Sequence, residues 1–201
     1  MRIVISEGNM KMGKLPNISL PPIAACKGCE DVCGKDCYAM KAYRRYPKVR
    51  EAWDTNYVLA MTDMKEFFGQ VQETLLCGKK PVKFFRWHVG GDIPSVEYFK
   101  GMLAIAAVFP ETKFLCFTKQ YGLVNEAVAD GYLPPYNLQI VFSAWPGHPI
   151  DNRHNFPIAW MQDGTEERVP ETALECHGGC DSCGMCWQLG KVGRGVVFHK
   201  H

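Results

Sequence analysis

The stretch Val82-Lys83-Phe84-Phe85-Arg86-Trp87-His88, with the turn Val89-Gly90-Gly91-Asp92-Ile93-Pro94 and the apolar run Ser95 to Val108 behind it, decides the fold. Its first seven residues have the β-rich character of a strand, and Ser95 to Val108 has the length and composition of a helix. The unit then repeats. Lys113-Phe114-Leu115-Cys116-Phe117-Thr118 reads as a strand, Leu123 to Ala129 as a short helix, and Leu138-Gln139-Ile140-Val141-Phe142-Ser143 as another strand. Strand and helix in alternation are the signature of βαβ units, with parallel strands and right-handed crossovers. The expected fold class is α/β, a truncated or partial (β/α) barrel or an open α/β sheet.

On the N-terminal side, apolar residues from Lys48 to Leu76 recur at helical spacing (Val49, Trp53, Val58, Met61, Met64, Phe67, Phe68, Val71), and Thr62-Asp63 offers a break. One long helix or two shorter ones are expected. Met1 to Pro47 is rich in Gly, Pro and Cys and reads mostly as loop, with Arg2 to Ile5 as a short strand. On the C-terminal side, Pro157 to Met161 and Gly195 to Phe198 are weaker strand candidates. No repeat or Gly/Ser linker divides the 201 residues. A single domain follows: an N-terminal cysteine loop (1–47), an α/β core (48–162), and a C-terminal cysteine loop and tail (163–201).

With 23 Lys+Arg against 21 Asp+Glu, the overall charge gives no reason to expect nucleic acid or an anionic membrane as partner. The one basic and aromatic tract, Tyr38 to Tyr46, reads as a solvated helix face. No secretory leader is evident, and the longest apolar run, Met102 to Phe109, is too short to span a bilayer. A cytoplasmic protein is expected. Ten cysteines in a reducing compartment then point to metal in preference to disulfides.

Eight of the ten cysteines fall in two groups: Cys26, Cys29, Cys33 and Cys37, and Cys176, Cys180, Cys183 and Cys186. Thiolates so closely spaced repel one another and lose hydration unless bound metal offsets both costs. Four cysteines serve tetrahedral zinc as well as cubane iron–sulfur clusters. The closely spaced x3 and x2 intervals of Cys176, Cys180 and Cys183 favour the larger cubane, so two iron–sulfur clusters of the [4Fe–4S] type are expected, with zinc as the alternative. A shared arrangement, with Cys26 and Cys186 exchanging between sites, stays open, as does a purely structural role. His177 is expected beside a cluster without ligating it, and Cys77 and Cys116 as ordinary free cysteines.

Ligands of parallel α/β folds meet loops at the carboxyl ends of strands. The polar residues there form a candidate pocket: Arg86, His88, Gly90, Gly91 and Asp92 after one strand, Thr118 and Lys119 after the next, Ser143 and Trp145 after the third. Alternation places Arg86 and His88 on one face. The competing reading is a tight turn in which Asp92 or Ser95 caps the next helix.

Several of these motifs together resemble the phage gene-product-88 family. The carriers are Lys11-Met12-Gly13-Lys14, Ser19-Leu20-Pro21-Pro22, Cys33-x3-Cys37-Tyr38-Ala39, Arg86-x-His88-x-Gly90-Gly91-Asp92-Ile93-Pro94, Phe117-Thr118-Lys119, and the terminal cysteines followed by Trp187. The resemblance implies a small phage or prophage protein of the bacterial host cytoplasm, and it supplies no reaction. A more remote similarity is to radical S-adenosylmethionine enzymes, in which three cysteines hold a cubane with one open iron and a glycine-rich acidic turn holds the methionyl amine. Gly90-Gly91-Asp92 fits that turn, and Cys176-x3-Cys180-x2-Cys183 has the ligand spacing, although at the opposite end of the chain. A fourth cysteine in each group favours fully ligated clusters. The leading expectation is an iron–sulfur protein in electron transfer or an auxiliary metabolic role, with a redox partner protein. A radical S-adenosylmethionine-type enzyme and a zinc-stapled interaction module are the alternatives, and whether the protein is an enzyme is left open.

Overall fold

In the computed structural model, which describes residues 1–28, 33–34, 37–78, 81–162 and 169–199, seven strands form one parallel sheet. They are β1 (Asn17–Ile18), β2 (Phe84–Trp87), β3 (Lys113–Thr118), β4 (Leu138–Ala144), β5 (Ile158–Gln162), β6 (Leu174–Glu175) and β7 (Val196–His199). Their order is β1-β2-β3-β4-β5-β7-β6, with every neighbouring pair parallel. The edge strands β1 and β6 are not paired to each other among the described residues, so the sheet is open.

The first five strands are laid down side by side in chain order, and right-handed crossovers between such strands all pass over the same face. Helices α1 (Tyr38–Arg45), α2 (Pro47–Thr62) and α3 (Met64–Leu76) connect β1 to β2, α4 (Val96–Val108) connects β2 to β3, and α5 (Tyr121–Ala129) connects β3 to β4. Phe67, Val71, Tyr98, Phe99, Met102 and Val124 from the helices pack with Phe85, Trp87, Phe114, Ile140 and Phe142 in one core. The break between α2 and α3 falls at Asp63, whose carboxylate accepts a hydrogen bond from the Glu66 amide at 3.0 Å. Ser95 caps α4 in the same way, accepting from the Tyr98 amide at 3.1 Å, a contact of about 1 kcal/mol.

The opposite face must be covered by something other than crossover helices. Phe84, Leu115, Phe117, Val141, Ala159, Val196 and Phe198 pack instead with Met12, Leu15, Trp187 and Leu189. The C-terminal segment supplies that cover through α6 (Cys180–Cys183), a 3-10 turn (Met185–Gln188) and α7 (Leu189–Val192). The Trp187 indole donates to the Phe85 carbonyl at 3.3 Å, and the Gly190 amide donates to Gln139 Oε1 at 2.9 Å.

Arg2 to Ile5 does not form the expected strand. The amides of Ile3 and Val4 donate instead to side chains of the helices, Gln70 Oε1 at 2.8 Å and Asn56 Oδ1 at 2.7 Å. The sheet starts at β1, and α1 coincides with the tract read as a solvated helix face, within a segment otherwise expected to be mostly loop. Among the described residues, no helix is long and apolar enough to cross a membrane.

Candidate functional site

The segment that leads from the carboxyl end of β1 toward Cys26 is bonded to the turn that ends β2. Ser19 Oγ accepts from the amides of Val89 (3.1 Å) and Gly90 (3.2 Å), and the Leu20 amide donates to the Gly90 carbonyl at 3.0 Å. Gln120, after β3, holds the loop through a 3.0 Å bond to the Lys27 carbonyl. Cys26, Cys33 and Cys37 are half-buried, and Cys29 lies outside the described residues. The Cys37 thiol is drawn down from 9.0 to about 6, first by its hydrogen bond with Cys33. Burial opposes this shift, while the backbone amides of Met40 and Ala39 at the start of α1, and the Lys119 ammonium, add to it. Cys37 is therefore prepared to act as a thiolate, the form that binds metal.

The candidate pocket divides between the two faces of the sheet. His88 has φ 56°, a left-handed conformation that breaks the strand alternation, and its ring turns to the helix side. There it is buried, with Nε2 3.1 Å from the Tyr98 hydroxyl and Nδ1 3.7 Å from Cys116 Sγ. Burial, and to a smaller degree Arg86, pushes its pKa down to about 3. The expectation that Arg86 and His88 share one face is therefore corrected: Arg86 points to the opposite side.

Asp92 is also buried, and its carboxylate ties the turn to the end of β3. Oδ1 accepts from Thr118 Oγ1 at 2.6 Å and from the Ile93 amide at 2.8 Å, and Oδ2 accepts from the Lys119 amide at 2.8 Å. Burial raises its pKa, and these hydrogen bonds oppose the rise. The glycine pair is equally occupied by the fold. A Cβ on Gly90 would stand 2.4 Å from the Trp53 ring, and one on Gly91, at φ 79°, would stand 2.8 Å from the Leu20 carbonyl oxygen. The open part of the rim is Lys119, whose ammonium lies 5.1 Å from the centre of the Trp145 ring, together with His148. Thr118 is buried, and Ser143 is half-buried with its carbonyl accepting from the Tyr121 hydroxyl. The rim residue missing from the sequence reading is His148, held by an isolated bridge to Trp145 that leaves no periodic signal.

The C-terminal cysteines lie against the other face. Cys176 follows β6 and donates its amide to the Val197 carbonyl at 3.0 Å. The amides of Gly179 and Asp181 donate to the carbonyls of Lys11 and Met12 at 2.8 and 3.1 Å, and the Lys14 amide donates to Asp181 Oδ2 at 2.9 Å. Cys176, Cys180 and Cys186 pack at the edge of the second core, while Cys183 and His177 are exposed. Burial pushes the Cys186 thiol up to about 12, and repulsion from Cys176, Cys180 and Cys183 adds to it. Cys180 is raised for the same reasons. Arg86 opposes both shifts. Its guanidinium lies 4.9 Å from the centre of the Phe117 ring, with one terminal nitrogen 3.3 Å from Met12 Sδ. Its Nε is buried and, among the described residues, has no hydrogen-bond partner. Cys116 is buried on the helix side, and Cys77 is exposed at the end of α3. Among the described residues, no three His, Cys, Asp or Glu side chains are gathered closely enough to hold a metal ion as they stand.

These features define a parallel α/β protein with its crossover helices on one face and a cysteine-bearing tail on the other. The chain belongs to the gene product 88 family, whose model matches residues 4–189, a span that includes both cysteine groups and Arg86. No curated protein and no solved structure matches it.

Proposed function

We propose that the protein is an iron–sulfur protein of the host cytoplasm, holding two clusters of the [4Fe–4S] type and acting in one-electron transfer. Cys26, Cys29, Cys33 and Cys37 would hold one cluster, and Cys176, Cys180, Cys183 and Cys186 the other. The observation that carries the reading is Arg86. Its guanidinium is enclosed against Met12 and Phe117 on the face of the sheet that the C-terminal cysteines cover, and its charge favours the thiolate forms of Cys180 and Cys186. Four thiolates around a metal centre carry negative charge that complements the guanidinium, and their sulfurs can accept hydrogen bonds from it. Cys37, with its lowered pKa, gives the N-terminal group a ligand already biased to the thiolate. When bound, a cluster closed by four thiolates supplies reversible one-electron transfer.

A second reading has one observation in its favour. The segment that leads from the first strand toward the N-terminal cysteines is bonded to the turn at Gly90 through Ser19 and Leu20, the side of the fold on which a radical S-adenosylmethionine-type enzyme carries its cluster loop. Against it, Trp53 and Leu20 fill the space at the glycine pair, and the Asp92 carboxylate is already engaged three times. The fully ligated reading therefore stands first. A zinc-stapled module would also satisfy Arg86, and sulfide content separates the two metals.

Anaerobic preparation should give a brown protein with about eight iron and eight labile sulfide per chain. A colourless protein with stoichiometric zinc and no sulfide contradicts the proposal. S-adenosylmethionine added to the reduced protein should leave its electron paramagnetic resonance signal unchanged. A spectral shift accompanied by reductive cleavage of the added compound would move the enzyme reading to first place.

A further inference from the structure

The outer surface of α1 and the start of α2 holds five cations within ten residues, Lys41, Arg44, Arg45, Lys48 and Arg50, with no acidic residue between Tyr38 and Arg50. All five are exposed, and among the described residues Arg44, Arg45, Lys48 and Arg50 take part in no ion pair. Helix stability accounts for only part of this. Arg44 and Arg45 lie in the last turn of α1, where a cation complements the helix dipole. Lys48 and Arg50 lie at the start of α2, where the dipole disfavours cations and acidic residues are absent. Glu51 and Asp54 lie one turn on from Lys48 and Arg50, yet among the described residues neither cation is ion-paired with them, so the patch keeps a net positive charge that an external partner of opposite sign would complement.

The patch begins at a proposed metal ligand, since Cys37 immediately precedes α1. Resting on the iron–sulfur reading above, we infer that this surface docks an acidic one-electron carrier protein, which delivers its electron to the N-terminal site. The carrier is oxidised by one electron and the cluster reduced by one. No bond forms or breaks, and no proton moves. Redox encounters of this kind use small interfaces steered by opposite charge. Single-stranded nucleic acid fits less well, because it needs a long phosphate track. Here the cations span only α1 and the first turn of α2, and beyond Arg50 the helix turns acidic at Glu51 and Asp54, so the track is short.

The test uses the full chain, loaded anaerobically, with photoreduced flavodoxin as an acidic probe. Stopped-flow reduction of the wild type should slow by about tenfold between low and physiological salt. The triple variant Arg44→Glu, Arg45→Glu, Lys48→Glu should be at least about tenfold slower at low salt and nearly insensitive to salt. The charge-keeping pair Arg44→Lys, Arg45→Lys should stay near the wild-type rate. Equal rates for the wild type and the triple variant overturn the docking surface. Tighter binding of a labelled single-stranded oligonucleotide than of flavodoxin, at the same salt, overturns it in favour of nucleic acid. Calorimetric titration with oxidised flavodoxin needs no cluster and separates the two ideas. Patch-dependent binding by a chain that takes up no iron overturns the electron-transfer step and leaves acidic-protein docking upheld. Iron loading without flavodoxin binding overturns the docking alone.

Discussion

Arg86 and His88 stand two residues apart and meet opposite surroundings, one facing thiols and the other enclosed among apolar groups and Tyr98. The Arg86 Nε is enclosed and, among the described residues, has no hydrogen-bond partner, so in protein stripped of metal by a chelator Arg86→Met should raise the urea midpoint, by about 1 kcal/mol of stability. In loaded protein the same change removes a cation that favours the reduced, more negative cluster. The midpoint potential should then fall on the order of 60 mV, a tenfold change for one electron. A loss of metal-free stability with an unchanged potential would make Arg86 a packing residue only. His88 gives a pH dependence. The unfolded imidazole takes up a proton near 6.5, and the folded one only near 3. The stability due to its burial is therefore complete above the upper value and lost as pH falls through the window, by a few kcal/mol at most. His88→Asn keeps a residue tolerant of φ 56° and removes the titration. Urea midpoints measured from pH 7 to 4 should fall less steeply for the variant than for the wild type, and parallel curves would refute the assignment.

Asp92 joins two elements, since its carboxylate holds the turn after β2 to the end of β3 through Thr118 and Lys119. Asn offers one acceptor oxygen in place of two, so Asp92→Asn should leave a donor unmet and cost about 1 to 3 kcal/mol. For a chain of this size the melting temperature should drop by several degrees, and an unchanged value would show that the latch carries no weight. The elements themselves were largely readable from the sequence where burial is one-sided. Lys113 to Thr118 and Leu138 to Ser143 emerge as β3 and β4, and Thr62-Asp63 as the break between α2 and α3. What escaped the reading lacked periodicity. β1 has two residues, too few to show alternation. The side on which His88 stands was hidden because one left-handed residue reverses an alternation that composition alone would extend. The cysteine groups were plain from spacing. The enclosed Arg86 Nε was not, because it depends on Met12 and Phe117, which are distant in the chain.

At the scale of the whole molecule, the strand order determines where the two cysteine groups lie. Crossovers confined to one face leave the other to be closed by the tail from Cys176 to Val192, and metal bound there would contribute to closing it. Cys180→Ser should therefore lose one cluster and also speed amide hydrogen exchange through Trp187 to Val192. Cys33→Ser should lose the other cluster and leave that segment protected. Equal effects of the two changes on the tail would show that the sites are not separate. The number and kind of bound clusters can be read by native mass spectrometry of the protein purified without oxygen. The mass should exceed that of the bare chain by two [4Fe–4S] clusters, and by one cluster in either cysteine variant. A mass equal to the chain with zinc alone, or one unchanged by both substitutions, would contradict the two-cluster proposal.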